Sequence, residues 1–270
     1  MKNFKLFSSS SELETYINGS EYLEPFIGAV SQLKGSVKYN RPKLNIIRLF
    51  TQRGGITINK FLDDEMRPQS ERFELKEGWN TLNMTNEFPY GFATLNGDGT
   101  DGITEVDLSS YQGSELNSGM FSETGINEVI IPDTIKEIGS KCFSECGNLN
   151  NVHFGKKIKK IGFLAFNACT KLEEINLPEG LEEIEYSAFD NVLCSNFILP
   201  STIQKLENYF YVHSTSNSTV RFQSLVPPIM PNSPFSVIDR IEVPMAAVET
   251  YKNINIPRWK EFYGDKIVGY

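Results

Sequence analysis

The sequence predicts an α+β, mostly β chain: a repeat solenoid preceded by a small α+β module and a β-rich capping module. Three observations carry that prediction. From Val106 onward a short apolar strand recurs as Val106/Leu108, Val129/Ile131, Val152/Phe154, Ile175/Leu177, Phe197/Leu199, Val220/Phe222 and Ile241/Val243, at spacings of 23, 23, 23, 22, 23 and 21 residues. Such a period marks a coil in which each repeat buries its apolar face only against its neighbours. The residues between these strands also match slot by slot, and residues 44–95 alternate apolar and polar as half-buried strands do.

Four segments follow from this pattern: 1–42, a strand-helix-hairpin anchoring module; 43–100, a β-rich module; 101–245, the solenoid; and 246–270, a C-terminal cap. In the first, Ser11-x-x-Glu14 ahead of Leu13, Tyr16 and Ile17 reads as a capping box opening a short helix, which Asn18-Gly19 ends. Strands over 25–30 and 37–40 follow, joined by a turn at Lys34-Gly35. With Glu24-Pro25-Phe26-Ile27-Gly28-Ala29-Val30 and Val37-Lys38-Tyr39-Asn40, this stretch resembles the N-terminal module of virion proteins from phages of gut Bacteroides, including crAss-like phages. A small α+β module of another kind is the alternative. In the second segment, strands are expected over 44–50, 56–61, 72–75 and 81–84, with turns at Gly54-Gly55 and Glu77-Gly78.

One repeat shows how the coil is built. In Val152-His153-Phe154 the outer two residues face the core and His153 faces out, because strand side chains alternate. Ile158 and Ile161 begin the return path, and Gly162, like Gly139, is expected to permit a tight bend. Leu149 corresponds to Ile126 and Leu172, Ile161 to Ile138 and Ile184, and Ala165 to Cys142 and Ala188. Phe143, Phe166 and Phe189 share one slot and are expected to form an aromatic spine behind the strands.

The unit Ile161-Gly162-x-x-Ala165-Phe166-x-x-Cys169-x-x-Leu172-x-x-Ile175-x-Leu177-Pro178 resembles the BspA-type leucine-rich repeats at every marked position. The likeness is specific over 126–206 and degenerate over 103–125 and 207–245, where terminal repeats present a capping face. Residues 243–252, Trp259 and Lys266-Ile267-Val268 resemble that family's closing helix and final strand. The resemblance implies a BspA-like solenoid on a surface protein that binds host proteins or cells, chiefly in gut and oral bacteria of the Bacteroides type. It does not imply catalysis.

Composition narrows the partners. A net charge of −8 argues against nucleic acid, which needs clustered Lys and Arg. The one basic run, Lys156-Lys157-Ile158-Lys159-Lys160, places Ile158 in a core slot and reads as a solvated turn. No stretch approaches the ~20 apolar residues of a membrane span, so no membrane insertion is expected. The N-terminus has neither a continuous apolar segment nor a convincing cleavage site, so either the chain is not exported by the general route or its signal has been removed, and the starting Met favours the first. All four cysteines, Cys142, Cys146, Cys169 and Cys194, fall within repeats. Cys146 and Cys169 are 23 apart and should stack as small buried reduced thiols; no second Cys/His pair has zinc-finger spacing.

Chemistry is sparse. Asn96–Gly102 has the composition of a calcium loop, but Asp101 and Asp107 stand where an EF-hand needs Gly and Glu, so a turn into the first repeat is expected. His153 and His213 are the only histidines, and neither has a nucleophile or carboxylate at motif spacing. No catalytic residue, metal site or cofactor is expected. The candidate binding residues are the outward strand positions Asp107, Ile130, His153, Asn176, Ile198, Arg221 and Glu242, which the repeat aligns on one face. The alternative is that they tile a two-sided sheet, and the polar stretch Asn208–Thr219 is the second choice. The expected function is a non-enzymatic virion component (fibre, cap or decoration protein) that contacts other virion or surface-assembly proteins through 1–42. Its repeats would bind a protein or glycan on the bacterial surface. The other reading is a BspA-like cell-surface or secreted adhesin.

Overall fold

The computed structural model describes residues 45–61, 68–85, 92–94, 100–212, 218–231, 234–235 and 238–270. The chain divides into two compact units, Met1–Pro42 and Lys43–Tyr270, and the described residues all belong to the second. The helix and hairpin expected within residues 1–42 lie outside the described residues.

Five strands form the β-rich module: β1 (Ile46–Thr51), β2 (Ile56–Phe61), β3 (Pro68–Leu75), β4 (Gly78–Asn83) and β5 (Phe92–Ala93). The next strand, β6 (Ile103–Asp107), joins them in two antiparallel sheets of order β4-β1-β6 and β3-β2-β5. Alternation places Ile47 and Leu49 in the core and turns Arg48 outward. Gly78 takes φ +91°, which an L side chain rarely adopts, and Asn80 clasps that turn by donating to the carbonyls of Lys76 (2.8 Å) and Gly78 (3.1 Å).

The coil then runs through β7 (Glu115–Leu116), β8 (Glu128–Ile130), β9 (Glu137–Ile138), β10 (Asn151–His153), β11 (Lys160–Ile161) and β12 (Glu183–Ile184). It continues through β13 (Phe189–Asp190), β14 (Asn196–Leu199), β15 (Lys205–Leu206), β16 (Tyr211–Val212), β17 (Thr219–Phe222) and β18 (Arg240–Val243). Two short helices, α1 (Val248–Lys252) and α2 (Trp259–Tyr263), lead to the last strand, β19 (Ile267–Gly269). No helix among the described residues is long and apolar enough to cross a membrane.

The expected single ladder is present in two pieces. β8 pairs in parallel with β10, Val129 level with Val152 and Ile130 with His153. A second sheet has the order β14-β17-β18-β19. Between them no strand forms at residues 172–178, although Ile175 keeps its buried core slot. The break falls where the spacing drops from 23 to 22, so burial rather than pairing holds that coil. Val106 does not found the parallel ladder either. β6 pairs antiparallel with β1, Leu49 level with Val106, because the terminal coil has no preceding repeat and takes its partner from the capping module.

Where a return path was expected, a second parallel ladder stands. β15-β12-β11-β9-β7 form five rungs, with Leu116, Ile138, Ile161, Ile184 and Leu206 in register and buried. The glycines beside it do not make the bend. A Cβ on Gly139 would lie 2.7 Å from the Leu116 carbonyl, and one on Gly162 2.9 Å from that of Ile138, so glycine there lets successive coils approach. The bends belong to two left-handed slots per coil: Lys141, Leu164, Ser187 and Tyr209 (φ 50–55°), and Glu123, Glu145, Ala168 and Asn191 (φ 57–62°). None of these is glycine, although the first slot of the earliest coil is held by Gly119 (φ 65°).

Behind the strands Phe121, Phe143, Phe166 and Phe189 stack, with centroids 5.3, 5.2 and 5.2 Å apart. The expected spine is therefore present and one ring longer. Phe92 of the capping module closes it edge-on at 5.8 Å. Each buried ring contributes roughly 1.5–3 kcal/mol. All four cysteines are buried and free. The Cys146 thiol donates to the Phe121 carbonyl (3.0 Å) and that of Cys169 to the Phe143 carbonyl (3.1 Å), a shared slot one coil apart. Burial pushes the Cys146 thiol up to about 11. At the far end Trp259 and Tyr251 are buried, and the Trp259 indole N–H donates to the Tyr251 carbonyl (2.8 Å).

Candidate functional site

Six of the seven outward positions lie on three separate sheets, and the seventh, Asn176, lies on none. Asp107 lies on β6, with Arg48 3.8 Å away, and accepts a bond from the Ser109 N–H (2.9 Å). Ile130 on β8 is 68% exposed, and beside it on β10 the His153 Nε2 lies 2.8 Å from a Glu128 carboxylate oxygen. Asn176 is exposed but sits in the break, on no strand. Ile198 on β14 is exposed too, at 38%. Beyond it Arg221 holds Glu242 at 2.6 Å, Arg240 holds the same carboxylate at 2.9 Å, and the Arg221 guanidinium stands 4.8 Å over the Tyr270 ring. The C-terminal third of this face thus satisfies itself, while its first rungs leave an aliphatic side chain in solvent.

Beside Ile130 the surface opens into a cleft of about 480 Å³ between β6 and β8. Residues 104–109 form one wall; Asn127, Glu128, Ile130 and Pro132 form the other. The cleft combines apolar surface with the carboxylates of Glu105, Asp107 and Glu128.

The second ladder presents a different face. In register along it stand Glu115, Glu137, Lys160, Glu183 and Lys205. Lys160 bonds Glu185 (2.7 Å) and Glu137 (3.2 Å), which holds its ammonium above the usual lysine range. Within the basic run Lys159 pairs with Glu182 at 2.7 Å and Ile158 is buried, while Lys156 and Lys157 are exposed. That stretch is a charge-paired face with a solvated turn. The Glu115 carboxyl is raised from its ordinary value, by burial first and by Glu137 second.

Two features escaped the sequence reading. Phe163, Tyr186 and Tyr209 form an exposed row, Phe163 stacked on Tyr186 at 5.8 Å and Tyr186 edge-on to Tyr209 at 6.0 Å. The 23-residue spacing of these aromatics was its only signal. Leu225, Val226 and Ile229 are exposed as well. Of the stretch chosen second, residues 213–217, His213 among them, lie outside the described residues. So do residues 95–99 of the calcium-like loop; Asp101 pairs with Arg53 at 3.4 Å. Among the described residues no group of three or more His, Cys, Asp or Glu could hold a metal ion.

The family model for the BspA type leucine rich repeat region matches residues 99–232 in six copies. No curated protein matches the chain. Among solved structures it is similar to a leucine-rich repeat protein from Bacteroides ovatus ATCC 8483, with 24% identity and a TM-score of 0.42, covering 50% of this chain and 36% of that one. It is similar to the pneumococcal vaccine antigen PcpA, with 19% identity and a TM-score of 0.43, covering 63% and 46%. It is similar also to a leucine rich cell surface protein from Faecalibacterium prausnitzii A2-165, with 16% identity and a TM-score of 0.25, covering 51% and 69%. The chain spans about a third to a half of the length of the first two. Over residues 99–232, where six family copies coincide with the rungs, the phenylalanine stack and the cysteine slot, this chain is a BspA-type leucine-rich repeat protein.

Proposed function

We propose that the chain is a non-enzymatic binding protein whose outward strand face, in its first rungs above all, takes a macromolecular partner at a cell or particle surface. The observation that carries this is Ile130: a large aliphatic residue 68% exposed in mid-strand, while the core beneath is complete without it. Repeat proteins use such continuous faces for binding, and a central apolar anchor commonly supplies a large share of interface energy. The test compares labelled wild-type chain with Ile130→Glu, His153→Glu, Ile198→Glu on bacterial cells. Cell binding should fall at least tenfold while the melting temperature moves by no more than a degree or so, since all three side chains project from the core. Unchanged binding would move the site to the stretch Asn208–Thr219.

The finer reading is a virion fibre, cap or decoration protein, docked to the particle through residues 1–42 and presenting the repeats to the bacterial surface. The likeness of those residues to phage virion modules supports it. The bacterial adhesin is the second reading, supported by the repeat family itself. An antibody against the repeats decides between them: labelling of purified phage particles supports the first, and labelling of cell envelopes free of phage supports the second.

A further inference from the structure

The outward face continues past the first repeat onto the capping module. In the β1 sheet, register sets Phe50 between Trp79 and Glu105, and Arg48 between Thr81 and Asp107. Trp79 is 44% exposed, with Phe50 edge-on at 5.5 Å and the Arg48 guanidinium 4.8 Å from its ring centroid. β6 next passes beside β8, with the cleft between them, and the face goes on to Ile130 and His153. One surface therefore runs from Trp79 across the cleft to β10, made by two modules that the sequence reading treated separately.

Its electrostatics are one-sided at the centre. The cleft is lined by Glu105, Asp107 and Glu128, with no lysine, arginine or histidine among its described lining residues. Arg48 stands 3.8 Å from Asp107 and His153 2.8 Å from Glu128, and the side chains of both pairs are roughly a third to a half exposed. Exposed pairs of that kind are weak, and the exposed Glu105 makes no ion pair among the described residues. Carboxylates gathered on a concave surface raise the local concentration of cations, and a chain of net charge −8 adds to the same field. The same carboxylates repel phosphate and anionic glycan. Aliphatic and aromatic anchors flank the cleft, as at protein interfaces, where Trp and Arg are enriched.

We infer that this surface docks a protein partner, with a lysine or arginine of that partner entering the cleft among Glu105, Asp107 and Glu128 and a neighbouring apolar side chain packing on Ile130. The inference rests on the reading of the chain as a binding protein and adds the place and the partner's chemistry.

The test is selection of a displayed library of random 12-residue peptides on the immobilised full chain. Enriched peptides should carry Lys or Arg next to a large apolar residue. Their affinity should fall at least tenfold with Glu105→Lys, Glu128→Lys and separately with Ile130→Glu, and should weaken as salt is raised. The control Lys157→Glu, on an exposed turn that does not line the cleft, should leave it unchanged. Three results of the selection would overturn the inference: enriched peptides without a cationic residue, binding that survives the charge reversal, or no enrichment at all. If cell binding is lost in the Ile130/His153/Ile198 variant but kept in Glu105→Lys, Glu128→Lys, this inference fails and the binding function stands. If the wild-type chain binds no cells, that function fails and the peptide selection still judges the cleft.

Discussion

Phe166 stands 5.2 Å from Phe143 on one side and 5.2 Å from Phe189 on the other, its ring within 9° of parallel to both. Truncating it leaves a cavity that two neighbouring rings cannot fill without breaking their own stack. Phe166→Ala is therefore expected to cost about 3–5 kcal/mol in urea unfolding, as at other buried aromatics; a loss under about 1 kcal/mol would contradict the stacked core. Glu115 tests the second ladder at the same scale. Burial and Glu137 raise its carboxyl in the folded chain. The folded state then holds the proton more tightly than the unfolded one between the ordinary carboxylate range and the raised value. Stability falls as pH rises through that window and stays reduced above it. Glu115→Gln should accordingly melt higher than the wild type at pH 7, with the gap closing as pH drops below the carboxylate range. A gap that widens on acidification would refute this sign.

Among the elements, the first ladder was legible because its strands place two core residues around an outward one, as in Val152-His153-Phe154, and period two shows in three residues. The second ladder was not, because two-residue strands such as Lys160-Ile161 hold a single apolar residue and show no period. The glycines were seen and given the wrong task. A missing Cβ serves a bend and a close approach equally well, and only the 2.7 Å from a would-be Gly139 Cβ to the Leu116 carbonyl separates the two. The bends went to residues such as Leu164 and Ala168, whose types carry no turn signal. Gly139→Ala should therefore cost about 1–3 kcal/mol by pushing coils apart, as overpacking does, although its φ needs no glycine. Ala168→Gly should be neutral or stabilising by up to about 1 kcal/mol, relief of the left-handed conformation outweighing glycine's entropy. Thermal melts of both variants settle the assignment, and a stable Gly139→Ala would reverse it. The candidate face follows the same division: alternation in the strands shows that Ile130 points outward, whereas the cleft beside it needs β6 bent toward β1, a pairing across more than fifty residues that no local pattern records.

For the molecule as a whole, stability is the sum of coils that touch mainly their neighbours, closed at one end by Phe92 and the sheets of the capping module and at the other by Trp259 and Tyr251. The candidate face and the core are thereby separated in space: the rings and thiols lie behind the ladders, and the outward positions can change without touching them. That separation is why the charge reversals proposed for the cleft should leave the melting transition in place, and why the core variants should lower it with the outward face intact up to the unfolding transition.

The axial run of the ladders has a mechanical consequence. Asn151 sits over Glu128, 23 residues earlier, and the rings behind them advance 5.2 Å per coil. The bonds between coils run along the axis on which the coils stack. Tension from end to end is then carried coil by coil in series, each junction bearing the full force with only a few hydrogen bonds. A released coil of that length pays out about 80 Å of extended chain. Held between beads attached at its two ends, the repeat region should lengthen in a sawtooth of steps of about 75–80 Å at low force; one large cooperative rupture would show that the coils share the strain sideways. A stack built this way yields stepwise under tension, one coil at a time, while the remaining coils stay folded.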